Sequence, residues 1–127
     1  MQKSFKLLLG LLFLLPLAAM SQNSIAGDWL YNYTDEDGSQ VLLKMSFTED
    51  SYSVDFGNKG SADVKGKYTI DGNQFTMWDV EGAYSCPSEQ KGVYTIELNG
   101  DTLTATLVKD DCPGRGNTEK MVMQRAK

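Results

Sequence analysis

The chain has 127 residues, a formal net charge of −5 and no histidine. An acidic chain without a basic cluster lacks the electrostatic footprint of a nucleic-acid binder or of a protein held on anionic membranes. Without histidine the commonest general base and the commonest metal ligand are gone, so neither an enzyme nor a cofactor is expected.

The first segment reads as an export signal. Lys3 and Lys6 form a short basic head, and Leu7 to Leu17 is a nearly unbroken apolar run. Ala19-Met20-Ser21 then places small residues at −3 and −1 of a cut before Gln22. The apolar run, about eleven residues, is too short to cross a bilayer. A retained anchor is the alternative, but no cysteine near the cut can carry a lipid. Cleavage leaves residues 22–127, one small domain with no membrane span, in the periplasm or secreted. Losing two lysines takes the formal charge from −5 to −7.

Short strands follow in series. Asp28 to Thr34 carries Trp29, Tyr31 and Tyr33 on one face and ends at the turn Asp35-Glu36-Asp37-Gly38. Gln40 to Thr48 turns Val41, Leu43, Met45 and Phe47 to one side. Tyr52 to Gly57 carries Tyr52, Val54 and Phe56. After Asn58-Lys59-Gly60-Ser61, Ala62 to Ile70 sends Val64, Tyr68 and Ile70 inward and Lys65 and Lys67 outward. Beyond Asp71-Gly72-Asn73, Gln74 to Asp79 continues with Phe75, Met77 and Asp79 inward. The loop Val80 to Gln90 holds Cys86. The strongest local signal comes next. Tyr94, Ile96 and Leu98 alternate with Val93, Thr95 and Glu97; Asn99-Gly100-Asp101 breaks the run; Leu103, Ala105 and Leu107 resume it among threonines. Period-two alternation around an Asn-Gly break is a β-hairpin signature. The second arm ends at Lys109-Asp110-Asp111, and Cys112-Pro113-Gly114-Arg115 turns the chain. Glu119 to Arg125 is the last strand, with Met121 and Met123 on one face.

Eight strands with short connections and no helical period predict an all-β, eight-stranded antiparallel up-and-down barrel. The turns after the second, fourth and sixth strands are tight. Those after the first, third, fifth and seventh gather at the other end, and the last two are the longest. One end should be closed and the other ragged. Cys86 and Cys112 both fall at the ragged end, and an even cysteine count in an exported domain favours a disulfide between them. The alternative, a metal pair or a reactive thiol, lacks histidine and a second cysteine pair.

Gly27-Asp28-Trp29, opening the first strand, resembles the Gly-x-Trp signature of lipocalins and the wider calycin group. The stretch from Gly92-Val93-Tyr94 through Asp111-Cys112-Pro113-Gly114-Arg115 is also similar to small exported bacterial lipocalin-like proteins. The resemblance implies that Trp29 packs at the closed end of the barrel and that an arginine covers its ring, Arg125 first and Arg115 second. The chain departs from the pattern in being shorter than most lipocalins and in lacking a clear C-terminal helix.

Carboxylates are the only abundant chemical resource. Asp35-Glu36-Asp37-Gly38 lacks the spaced ligands and distal Glu of a calcium loop and reads as a solvated turn. Asp110 and Asp111 read the same way, although Arg115 stands nearby to pair with them. Asp79 points into the barrel and needs a partner, a raised pKa or water at its strand end, unless it contacts a ligand. Tyr31, Tyr33, Tyr68 and Tyr94 face inward. Their first reading is core packing, and their second is a small cavity whose hydroxyls orient a ligand.

The expected function is binding. The leading reading is an exported, non-catalytic carrier of a small apolar or amphipathic molecule. Its site would lie between the Val80–Gln90 and Asp110–Thr118 loops, with Met77, Asp79, Tyr94, Tyr31, Tyr33 and Tyr68 as candidate contacts. The alternative is a protein-binding module, such as an inhibitor of an exported hydrolase, using the disulfide-tied loop as a preorganised surface. A continuous apolar pocket favours the first, and a barrel filled by side chains favours the second.

Overall fold

The computed structural model describes residues 24–115 and 118–127; the expected signal, residues 1–21, lies outside the described residues. Eight strands run in chain order: β1 (Gly27–Thr34), β2 (Gln40–Phe47), β3 (Ser51–Phe56), β4 (Val64–Asp71), β5 (Gln74–Gly82), β6 (Gly92–Asn99), β7 (Thr102–Asp110) and β8 (Lys120–Arg125). Each pairs antiparallel with its neighbour in sequence, and β1 pairs with β8 to close the barrel. This is the expected all-β, up-and-down order. The closing seam is short, joining Trp29 to Arg125 and Leu30 to Gln124.

Two hairpins are set by their turns. Asp71 pairs with Gln74 and Asn99 with Thr102, which leaves Gly72-Asn73 and Gly100-Asp101 as two-residue loops. Gly72 and Gly100 take φ of 63° and 64°, whereas Asn73 and Asp101 do not have positive φ. A left-handed first position suits the right-handed twist of the flanking strands, and glycine reaches it without a Cβ clash.

Alternation puts Leu43, Met45, Phe47, Val54, Phe75, Met77, Leu103 and Met123 into one core. Its closed end is an aromatic plug in which Phe47, Tyr68 and Phe75 have ring centroids 5.2–5.8 Å apart. Trp29 is fully buried there and donates from Nε1 to the Ile25 carbonyl at 2.9 Å. The Arg125 guanidinium lies 4.3 Å from the Trp29 ring centroid. Ile70, expected inward, is 42% exposed. It sits one pair from the β4–β5 turn, at the rim beyond the plug, where Tyr68 and Phe75 already close the floor.

Two bulges shape the opposite end. Across β4–β5, Lys65 faces Glu81 and Gly66 faces Asp79, so Val80 is an extra residue. Across β6–β7, Val93 faces Lys109 and Tyr94 faces Leu107, so Val108 is extra. Both extra valines are exposed. A bulge shifts the alternation by one residue. Past Leu107 the inward position therefore falls on Asp110 rather than Lys109. Meanwhile β6 begins at Gly92, opposite Met77, so β5 runs past it from Trp78 to Gly82. The wall has a gap at that end, with one buried carboxylate on each side.

Candidate functional site

Arg115, from the β7–β8 loop, fills the gap. Its Nη1 donates to Asp79 Oδ1 at 3.0 Å. Its Nε donates to Asp110 Oδ2 at 2.8 Å, and its Nη2 to Asp110 Oδ1 at 3.1 Å and to the Gln90 carbonyl at 2.7 Å. The planar fork suits a bidentate carboxylate, and here it bridges β5 to β7 across the missing strand. The backbone completes the set: Cys86 N–H donates to Asp79 Oδ2 at 2.8 Å and Cys112 N–H to Asp110 Oδ1 at 2.9 Å. The two cysteines form the expected disulfide. One covalent bond thus holds the amides that serve both carboxylates. Gly92 leaves the room: a Cβ there would lie 2.5 Å from Asp110 Oδ2.

Tyr52 and Tyr94 donate their hydroxyls to Asp79 and Asp110, respectively. Burial pushes the Tyr52 hydroxyl well above the ordinary tyrosine range, and the bond to Asp79 adds to it. Burial likewise raises Tyr94, with Asp110 acting in the same direction. Burial alone would lower the Arg115 pKa, but Asp110 and Asp79 outweigh it and hold the guanidinium above its usual value. Every neighbour of the two carboxylates is a donor, so both act purely as acceptors. Two carboxylates and one guanidinium leave the network one negative charge in excess. Among the described residues no buried side-chain nitrogen or oxygen lacks a partner.

Inside the barrel is a cavity of about 1050 Å³. Phe47, Phe75, Leu103 and Met123 line its closed end, and Leu43, Met45, Val54, Ile96 and Ala105 line its walls. Met77, Asp79, Tyr94, Tyr31 and Tyr33 reach it from the expected set. Tyr68 does not. It sits in the plug with its hydroxyl donating to the Thr48 carbonyl. Asp79 meets the cavity with both oxygens already engaged, and its burial leaves no water-facing strand end. The Val80–Gln90 loop lines the cavity at Tyr84, Ser85 and Cys86, and the loop after β7 lines it at Cys112, Gly114, Arg115 and Thr118, with the disulfide and Arg115 tying the two together. On the β1–β2 side, half-buried Tyr31 and Tyr33 also line it, next to exposed Asp35 and Glu36 of the turn. Exposed lining residues ring this end, at Asp35 and Glu36 and at Tyr84 and Gly114.

The chain matches no protein-family model, and no curated protein or solved structure is significantly similar to it. The closed eight-stranded antiparallel barrel is consistent with a calycin-like fold. No helix among the described residues is long and apolar enough to cross a membrane. The Asp79, Cys86 and Cys112 side chains lie close together, but the disulfide removes both thiolates as metal ligands.

Three residues at this end depart from their sequence reading. Asp110 is no solvated turn residue: its side chain is 0% exposed against Arg115. Arg115 lies on the carboxylates and not on Trp29. Tyr52 counted only as an apolar inward residue, yet it is Asp79's buried donor. A fourth, Asp55, gave no signal and is 4% exposed near the end of β3, beside the β3–β4 turn. Its carboxylate accepts from the Lys59 and Gly60 amides at 3.1 and 2.8 Å. Burial would raise its pKa, but these bonds and the Lys59 ammonium hold it below the usual value. This ties down a turn and does not face the cavity.

Proposed function

We propose that this protein is an exported, non-catalytic lipocalin-like carrier that holds a small apolar or amphipathic molecule inside the barrel. The observation that carries the reading is the cavity, about 1050 Å³ and walled mainly by aliphatic, aromatic and methionine side chains. Ligand pockets typically span roughly 300–1,000 Å³ with apolar walls and a few polar groups, and this one is of that kind. Methionines at Met45, Met77, Met121 and Met123 add adaptable, polarisable surface suited to an irregular ligand. The disulfide supports an oxidising compartment. The strongest polar cluster, around Arg115, is saturated by its own partners, which suits a structural role better than a catalytic one.

Titration with a neutral apolar dye, N-phenyl-1-naphthylamine, tests this. Its fluorescence should rise and saturate at about one dye per barrel, at micromolar concentrations typical of apolar pockets. A folded protein that leaves the dye unchanged would remove the carrier reading and leave the protein-binding module in its place.

A further inference from the structure

The charges around the cavity discriminate between classes of amphiphile. Its lining contains four ionisable groups outside the tyrosines: Asp35, Glu36, Asp79 and Arg115. The only cation among them is spoken for. Arg115 spends four hydrogen bonds on Asp79, Asp110 and the Gln90 carbonyl. With Asp110 directly behind it, the wall is negative even at its arginine. Three of the lysines near this end are also engaged elsewhere: Lys59 pairs with Asp55 and Asp63, Lys109 approaches Asp111 at 3.8 Å, and Lys91 lies over the Trp78 ring at 4.9 Å, while Lys65 and Lys120 are exposed and do not line the cavity. At the β1–β2 side of this end, Tyr31 and Tyr33 stack with centroids 6.3 Å apart, beside exposed Asp35 and Glu36. Aromatic faces next to carboxylates attract ammonium groups and repel carboxylates.

We infer that the barrel selects cationic amphiphiles, with the apolar body in the cavity and an ammonium head between the Tyr31–Tyr33 pair and the Asp35–Glu36 turn. This rests on the carrier reading above and adds the charge of the ligand. An anionic amphiphile such as a fatty acid meets no free cation in the lining among the described residues, and its head would be desolvated against a negative wall. The low dielectric of the cavity strengthens that repulsion relative to water.

Displacement of bound N-phenyl-1-naphthylamine by chain-matched amphiphiles tests the inference, with dodecyltrimethylammonium set against dodecanoate below their micelle concentrations. The ammonium compound should displace the dye at roughly tenfold lower concentration, the preference expected of a partly screened charge pair. Adding salt should shrink that ratio, because the Asp35–Glu36 side is open to solvent. Asp35→Asn with Glu36→Gln, conservative changes in an exposed turn, should bring the two amphiphiles closer together, each compared with the affinity of that variant for the neutral dye. Equal displacement, or a preference for dodecanoate, overturns the charge inference and leaves the carrier reading standing. A dye that does not bind at all removes the carrier reading and this inference with it.

Discussion

Arg125 and Arg115 carry the same group to opposite ends of the barrel. Arg125 spreads over the face of Trp29 and donates to the Ala26 carbonyl at 3.1 Å and to Asp101 at 3.2 Å. Placing a guanidinium on an indole contributes roughly 0.5–2 kcal/mol, more as the pair is desolvated. The ring beneath contributes more. Trp29→Ala removes a fully buried side chain and its bond to Ile25, and should cost roughly 3–5 kcal/mol. Thermal melting checks it, and an unchanged midpoint would show that Trp29 is not a core anchor. Tyr52 and Tyr94 give a second test. Their folded pKa values are raised, so the stability they contribute is complete below the unfolded value, about pH 10, and drains away as pH rises above it. In a phenolate absorbance titration of the native protein, Tyr52 and Tyr94 should be among those of the six tyrosines that stay protonated until the barrel unfolds. Tyr52→Phe and Tyr94→Phe should each remove one from that resistant set. If all six ionise together while the circular dichroism stays native, the hydroxyls are not buried donors.

At the scale of elements, the open end is held by a loop that stands in for strand. Where β5 overruns β6, the ladder hydrogen bonds stop, and Arg115 and the disulfide bridge what the sheet leaves open. The chain-entropy argument assigns a cross-link of this loop length about 3–4 kcal/mol. Removing Arg115 strands two buried carboxylates, a loss of roughly 3–5 kcal/mol. Arg115→Met should therefore destabilise strongly in urea. Adding Cys86→Ser and Cys112→Ser should cost less than the separate losses combined, because the cysteine amides and Arg115 serve the same two carboxylates. Fully additive losses would show that the disulfide and the ion network act independently.

For the molecule as a whole, the cavity sets stability against binding. A large apolar void forfeits packing that a filled barrel would gain. Ala105 lines the wall midway along β7 and is only partly buried, so it offers a place to fill. Ala105→Phe should weaken N-phenyl-1-naphthylamine binding by about tenfold or more, while the midpoint of melting holds or rises. A loss of stability with dye binding intact would mean that the position is packed and that the dye sits elsewhere.

The strand order, the closed end and the burial of Trp29 were legible in the sequence, because side chains alternate along any strand whatever lies beside it. The tight hairpins were legible for a related reason, since Gly72 and Gly100 advertise a local backbone conformation. The candidate site was legible only in part. Asp79 pointed inward by simple alternation, but its partner lies thirty-six residues on and comes from a loop. Asp110 turned inward through the bulge at Val108, which arises from how β6 and β7 register and has no local signature. The cavity was the least legible feature. Inward tyrosines and methionines look alike whether they meet in the middle or stand apart. Only the tertiary structure decides between those, because strand tilt and stagger set the width of a barrel, and both belong to all eight strands at once.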